Sequence, residues 1–310
     1  MVAMSLDSIP KKLVRTFRSF AKNIVKPVGR MILSKQFERI AAIDKATQIL
    51  LALKYNELHR HGEPLPSLDD VAFRAYSQNG EDGALHFIFS LIGTTNKKCV
   101  EICAADGIEC NTANLIINHG WNGLLIDGDA KNVQRGNRFY RSIPETRFWP
   151  PQFAQGWITT DSVNALLHRH GMIGEIDLLS LDIDGNDYWI WEAINGIKPR
   201  AVILEYQKAW GEECVSQRYD PNFVWHNRPG PKGLSGASLA AFVKLGRKKG
   251  YRLVGSVFCL NAVFLRNGVG EDIFPEISAS QVLADPKAQW AIDQRKEWEK
   301  QGPIEGWVQV

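Results

Sequence analysis

The chain has 310 residues, enough for one large core with an accessory segment, so one main domain is the default. Its 45% hydrophobic and 23% charged content excludes global disorder, and its net charge of +3 makes no case for nucleic acid as a partner. No apolar run reaches the ~20 residues that span a bilayer, and the basic N-terminus lacks the apolar core and cleavage site of a secretory signal. The cysteines, Cys99, Cys103, Cys110, Cys214 and Cys259, are odd in number and form no CxxC pair, which points to a reduced, cytoplasmic compartment.

Residues 1–66 read as a helical segment. An amphipathic helix is predicted over 8–26, with Ser8 at its cap, Pro10 in its first turn and Leu13, Phe17, Phe20 and Ile24 on one face. Lys11, Lys12, Arg15, Arg18, Lys22, Lys26 and Arg30 crowd this stretch against the single acid Asp7. Such a helix either covers the core or makes a peripheral contact with an anionic membrane. Pro27 and Gly29 end it, a second helix is predicted over 31–59, and HGEPLP at 61–66 is a linker.

From residue 67 helices and strands alternate. Helices are predicted over 81–91, 112–118, 130–141, 161–170, 188–194 and 238–249. Strands are predicted over 99–103, 123–126, 146–149, 176–183, 201–204, 251–255 and 262–265. The short connection between the last two makes them antiparallel. The expected fold is therefore α/β: a Rossmann-like, doubly wound, seven-stranded, mostly parallel sheet with its last strand antiparallel, over 67–267. The N-terminal helical segment precedes it and a C-terminal extension, 268–310, follows. Ligands of such sheets bind at the carboxyl ends of the strands.

The first strand runs into Glu101-Ile102-Cys103-Ala104-Ala105-Asp106-Gly107, where small residues permit a tight turn close to a ligand. Glu101, a carboxylate in an apolar strand, needs a cationic partner, whether a ligand ammonium group or a basic side chain. Asp127 ends the second strand 20 residues beyond Gly107, the spacing at which an acid accepts ribose hydroxyls, and Asp129 suits the cap of the next helix. The fourth strand leads into Asp182-Ile183-Asp184-Gly185-Asn186-Asp187, and the fifth ends at Glu205. If the fourth strand stays extended, Asp182 and Asp184 share a face. With Glu205 they could hold a hard divalent cation such as Mg²⁺, or keep one carboxylate as a general base; Asp187 suits a helix cap.

The segments YSQNGEDG at 76–83, VEICAADGIECNTANLIINHGWNGLLIDGD at 100–129, DLLSLDIDGNDYWIWEAI at 177–194 and PRAVILEY at 199–206, together with GASLAAFVKLGRKKGYRLVG and NAVFLR, resemble the FkbM-type class I S-adenosylmethionine (SAM)-dependent methyltransferases over about residues 70–267. The resemblance implies SAM as cofactor and methyl transfer, usually to oxygen, on a small-molecule acceptor such as a glycan, glycan precursor or secondary metabolite. It implies Glu101, Ala104, Asp106 and Gly107 in the first SAM loop, Asp127 at the ribose, Asp182 near the methionine end, and Gln78 and Glu81 in the polar motif before the core. Relatives often carry glycine where this chain has Cys103-Ala104-Ala105, and a longer acid at the position of Asp184.

Methyl transfer needs in-line alignment and, where required, removal of a proton. Asp182 or Asp184 is the expected base or metal ligand, with His226 as an alternative base in the loop after the fifth strand. Trp210, Tyr219, Phe223 and Trp225 of that loop form either an acceptor wall or the core of a lid. A catalytically inactive SAM-fold scaffold, docking through its basic N-terminal helix, is the rival reading. A nicotinamide dehydrogenase is opposed by the absence of GxGxxG and by the reversed last strand.

Overall fold

The computed structural model describes residues 43–224 and 233–310. The helix predicted over 8–26, the first part of that over 31–59, His226 and Trp225 lie outside the described residues. The elements in chain order are α1 (Lys45–Arg60), α2 (Glu81–Ile92), β1 (Lys98–Ile102), α3 (Ala113–His119), β2 (Asn122–Asp127), α4 (Ala130–Ser142), β3 (Gln152–Gln155), α5 (Val163–Arg169) and β4 (Gly174–Leu181). They continue with α6 (Asp187–Ala193), β5 (Ile197–Glu205), β6 (Val215–Gln217), α7 (Leu239–Lys249), β7 (Tyr251–Val257), β8 (Asn261–Arg266), α8 (Ala279–Leu283), α9 (Pro286–Glu299) and β9 (Trp307–Gln309).

Seven strands form one sheet in the order β3-β2-β1-β4-β5-β8-β7. All pairings are parallel except those of β8, which runs antiparallel to both β5 and β7. This is a Rossmann-like, doubly wound sheet with one strand reversed, as the sequence predicts. The inner strands carry apolar residues on both faces because helices cover both. Cys99, Leu125, Leu178 and Ile203 face Leu85, Ile88 and Leu115 of α2 and α3. Val100, Leu124, Leu179 and Val202 face Leu167, Trp191 and Phe242 of α5, α6 and α7.

The third strand lies later than predicted, at 152–155 instead of 146–149. Trp149 is followed by Pro150-Pro151, which offer no N–H to a ladder. Thr146, 2% exposed, bonds Tyr140 O through its hydroxyl at 2.6 Å and closes a turn instead. The C-terminal extension also joins the fold: β9 pairs antiparallel with β6, within the long segment after β5.

The amino ends of β4 and β5 are tied by a buried ion pair. Asp177, fully buried, accepts from the backbone N–H groups of Thr95, Asn96 and Lys97 and from Arg200 Nη1 at 2.9 Å. Arg200 also donates to the carbonyls of Gly93 and Ile92. Burial pushes the Asp177 carboxyl up, but these donors outweigh it and hold it below its ordinary range. Asp177→Ala strands a buried guanidinium and three N–H groups, so the loss should be about 3–5 kcal/mol. Urea unfolding should show a lower midpoint. Ligand binding at the opposite strand ends should survive wherever the variant is folded.

Candidate functional site at the carboxyl edge

The β1–α3 loop carries three left-handed residues in five positions: Cys103 (φ 62°), Ala105 (φ 49°) and Gly107 (φ 65°). Two are not glycine, which is an uncommon and strained arrangement. Cys103 and Ala105 are exposed while Ala104 and Gly107 are buried. Ala104 N donates to Ile126 O at 3.0 Å, pinning the turn to β2. A Cβ on Gly107 would lie 2.8 Å from Leu125 and Phe153, so only glycine fits there. Asp106 accepts from Ile108 N at 3.1 Å and pairs with Arg135 at 2.8 Å, fastening the loop to α4.

Glu101, 5% exposed, is compensated inside the protein. Its oxygens accept from Asn111 N, from Thr112 N and Oγ1, and from Ser180 Oγ. These neutral donors stand where the sequence had called for a cation, so Glu101 braces the loop from beneath.

At the end of β2, Asp127 Oδ1 accepts from Asp129 N at 2.8 Å and from Asn132 Nδ2 at 3.1 Å, leaving Oδ2 without a hydrogen bond to the described residues. Asp129 caps α4 through Lys131 N, as expected. The Trp157 ring lies over Gly128, where a Cβ would come within 3.2 Å of it. Its Nε1 donates to Pro221 O at 2.7 Å, which fixes the ring although it is 54% exposed.

β4 ends at Leu181, before the acids. Asp184 has φ 62°, so a left-handed turn, rather than the strand's alternation, brings Asp182 and Asp184 together. Buried Asp187 makes that turn by accepting from Ile183 N at 2.7 Å and Gly185 N at 3.0 Å, and burial pushes its carboxyl up to about 6. Oxygens of Asp182, Asp184 and Glu205 all lie within 4.8 Å of one another. Although Asp182 is exposed at the edge, loss of water around its carboxyl raises it above the ordinary carboxylate range, and the charges of Glu205, Asp187 and Asp184 add to the shift. Glu205 is pushed up to about 7, chiefly by burial, then by Asp187 and Asp184, against the pull of Lys208 and a hydrogen bond from Asp182. Burial and their mutual repulsion thus push both carboxyls up together. Although Cys103 is exposed at the surface, loss of water around its sulfur and then Asp187, Asp127, Asp182 and Asp184 push its thiol up, which puts Cys103 in the same field.

Two further groups serve this pair. Asn261 of β8 stands opposite Glu205 in register, and its Nδ2 donates to Glu81 Oε1 at 2.7 Å. Glu81, 1% exposed, accepts from Asn79 N through its other oxygen, whereas Gln78 is exposed. Lys208 donates to Cys259 O at 3.0 Å beside Glu205. Sequence reasoning missed Cys103, Trp157, Lys208 and Asn261. Only Asn261 carried a signal, as the polar residue that opens an otherwise apolar last strand.

The loop aromatics divide. Phe223 packs on Gly185, where a Cβ would be 2.5 Å from its ring, and Tyr219 OH accepts from Thr160 N at 3.1 Å. Asn186 Nδ2 donates to Asp220 O, so residues 219–223 lie across the turn that follows β4. Trp210 belongs elsewhere and is not part of an acceptor wall. It is buried against Trp307, with ring centroids 4.7 Å apart, and under the Arg295 guanidinium at 4.5 Å. The C-terminal extension captures it.

No protein-family model and no curated protein sequence matches the chain. Among solved structures, it is similar to a SAM-dependent methyltransferase from Clostridium acetobutylicum ATCC 824, at 12% identity and TM-score 0.40 over 70% of this chain and 98% of that one. It is also similar to the glycopeptide N-methyltransferase MtfA in complex with S-adenosyl-L-homocysteine, at 11% identity and TM-score 0.38 over 61% and 90% of the two chains. A third is the methyltransferase domain of bacterial CtHen1-C, at 13% identity and TM-score 0.38 over 60% and 96%.

A carboxyl raised in the folded state binds its proton more tightly there than when unfolded. It therefore adds stability below its unfolded value and loses it as pH rises through the folded one. For Glu205 that window runs from 4.5 to about 7. Glu205→Gln should leave stability nearly unchanged at pH 5 and raise it at pH 8 by ~1–2 kcal/mol, a figure discounted for solvent at the edge. Thermal melts of both proteins at the two pH values measure this. An equal shift at pH 5 and pH 8 would refute the raised carboxyl.

Proposed function

We propose that the chain is a SAM-dependent methyltransferase acting on a hydroxyl of a sugar-like or secondary-metabolite acceptor. The observation that carries the reading is the juxtaposition, at adjacent strand ends, of the strained turn at 103–107 and the uncommitted Oδ2 of Asp127. Together they offer a backbone that a ligand can approach closely and an acceptor for ribose hydroxyls. Ala104, Asp106, Gly107 and Glu101 hold the shape of the turn, and Cys103 and Ala105 form its exposed surface. Trp157 beside Asp127 gives a flat apolar wall. Bound SAM supplies an electrophilic methyl group.

The neighbouring carboxylates suit the acceptor's proton. Asp182 and Glu205 are both pushed up, so a base with a raised pKa stands at the strand end. Glu81 fixes Asn261 alongside, and Tyr219 and Phe223 bound the same region; rings of this kind suit the flat faces of sugars. Asp182, Asp184 and Glu205 are also close enough to hold a divalent cation such as Mg²⁺, which would offset their mutual repulsion.

Calorimetry with SAM, with and without Mg²⁺, tests the reading, and a micromolar dissociation constant is expected. Asp127→Ala should weaken binding by ~1.5–3 kcal/mol, about 10- to 100-fold. A folded Asp127→Ala protein with unchanged affinity would remove the ribose role.

Turnover tests the base. With a carboxylate base, activity should rise with pH through about 7, where Glu205 titrates, and should ignore chelators. Loss on chelation and recovery with Mg²⁺ or Mn²⁺ would assign the three carboxylates to a metal instead. Asp182→Asn should abolish turnover under either assignment while sparing the fold, and full turnover in that variant would end both.

A further inference from the structure

The opposite, amino edge of the sheet carries a surface that methyl transfer does not use. Phe148 and Trp149 are 79% and 90% exposed, the most exposed large apolar side chains among the described residues. They are not on a loose loop. Thr146 is buried and bonded to Tyr140 O, the N–H groups of Thr146 and Arg147 reach Ile143 O, and Trp149 N reaches Thr146 O. Pro150-Pro151 stiffens the exit into β3. A fixed backbone thus holds two adjacent aromatic rings in water, where each is unfavourable.

The surroundings are apolar and positive. His170 contacts Gln152 at 3.3 Å, which brings the end of α5 beside the start of β3. Ile173, 54% exposed, and exposed Arg169 lie in that same connection. Arg141 ends α4, and Arg147 stacks over Phe148 at 4.8 Å. None of these three arginines has an ion pair among the described residues. Between Ala130 and Thr160 five Lys and Arg face the single acid Glu145.

We propose that this edge docks the protein on an anionic lipid bilayer, with Phe148 and Trp149 seated at the headgroup–acyl boundary and Arg141, Arg147 and Arg169 on lipid phosphates. Aromatic rings favour that boundary, and guanidinium groups beside them meet the phosphate layer. A turn that exposes two adjacent rings suits insertion. It offers none of the groove that tracks a phosphodiester backbone, nor a flat platform for stacking a run of bases. The strands separate this edge from the carboxylates, so docking leaves Asp127 and Asp182 facing the water. The acceptor then arrives from the aqueous side rather than from the lipid beneath.

Co-sedimentation of the full chain with phosphatidylcholine vesicles containing 30% phosphatidylserine tests the proposal, with pure phosphatidylcholine as control. Binding should need the anionic lipid and fall in 0.5 M salt. Phe148→Ser with Trp149→Ser should weaken it at least tenfold without lowering the melting temperature. Arg141→Gln and Arg147→Gln should each weaken it roughly fivefold, the weight of one basic residue at such a surface. Trp290→Ser, at an exposed tryptophan on α9, should leave it unchanged. The N-terminal set Lys11→Gln, Lys12→Gln, Arg15→Gln and Arg18→Gln should leave the dependence on Trp149 in place. No binding to anionic vesicles overturns the proposal, as does binding indifferent to Phe148 and Trp149 or an equal loss with Trp290→Ser. Binding of a single-stranded oligonucleotide through Phe148 and Trp149, without vesicle binding, assigns the surface to nucleic acid and overturns it too.

Discussion

Four parallel strands sealed on both faces can meet water only at their ends. β1, β2, β4 and β5 have helices above and below, so a polar side chain along them must be satisfied by protein. The few exceptions obey this. Glu101 is surrounded by backbone and hydroxyl donors, and Asp177 by three N–H groups and Arg200. Everything else polar is driven to one edge or the other. The carboxyl edge gathers acids, and the amino edge around β3 gathers cations and exposed rings.

That segregation concentrates a problem at the carboxyl edge. Asp182, Asp184, Asp187 and Glu205 come from two strand ends, beside Asp127 of a third, and repel one another at short range. The structure divides the burden by role. Asp187 spends both oxygens on backbone N–H groups and becomes part of the turn. Asp127 spends one oxygen on α4 and keeps the other. Asp182 and Glu205 are left with raised carboxyls, with Lys208 and Asn261 as neighbours. A group that structure has already consumed is a poor candidate for chemistry, and a pair of raised carboxyls is a good one.

The sheet was legible because its signals are local. Apolar runs between helix-period stretches give strand order and face, and the short link at 258–260 forces β8 to reverse. β3 was misplaced because Phe148 and Trp149 look like strand residues, and only burial of Thr146 with the two prolines shows a turn. The site was legible as a list of acids but not as an arrangement. A strand-alternation argument put Asp182 and Asp184 side by side for the wrong reason, because the left-handed residue at 184 cannot be read from an Asp in a row of acids. Trp157, Lys208 and Asn261 are supplied by segments distant in sequence, and nothing in the local pattern of Trp157 or Lys208 marks them. Trp210 looked like a wall of the site because the C-terminal extension that captures it folds back from nearly 100 residues away.

Strain at the carboxyl edge follows the same logic. Cys103, Ala105 and Asp184 hold left-handed backbone without being glycine, each at a cost of order 1–3 kcal/mol. Such conformations persist only where the surroundings overdetermine them. Ala104 N on Ile126 O, Asp106 on Arg135 and Asp187 on the 183–185 turn are the fastenings that do so. All are anchored in strands whose apolar burial is complete on both faces. The edge can therefore be both strained and rigid, because the energy that opposes relaxation is stored in the sealed strands below it.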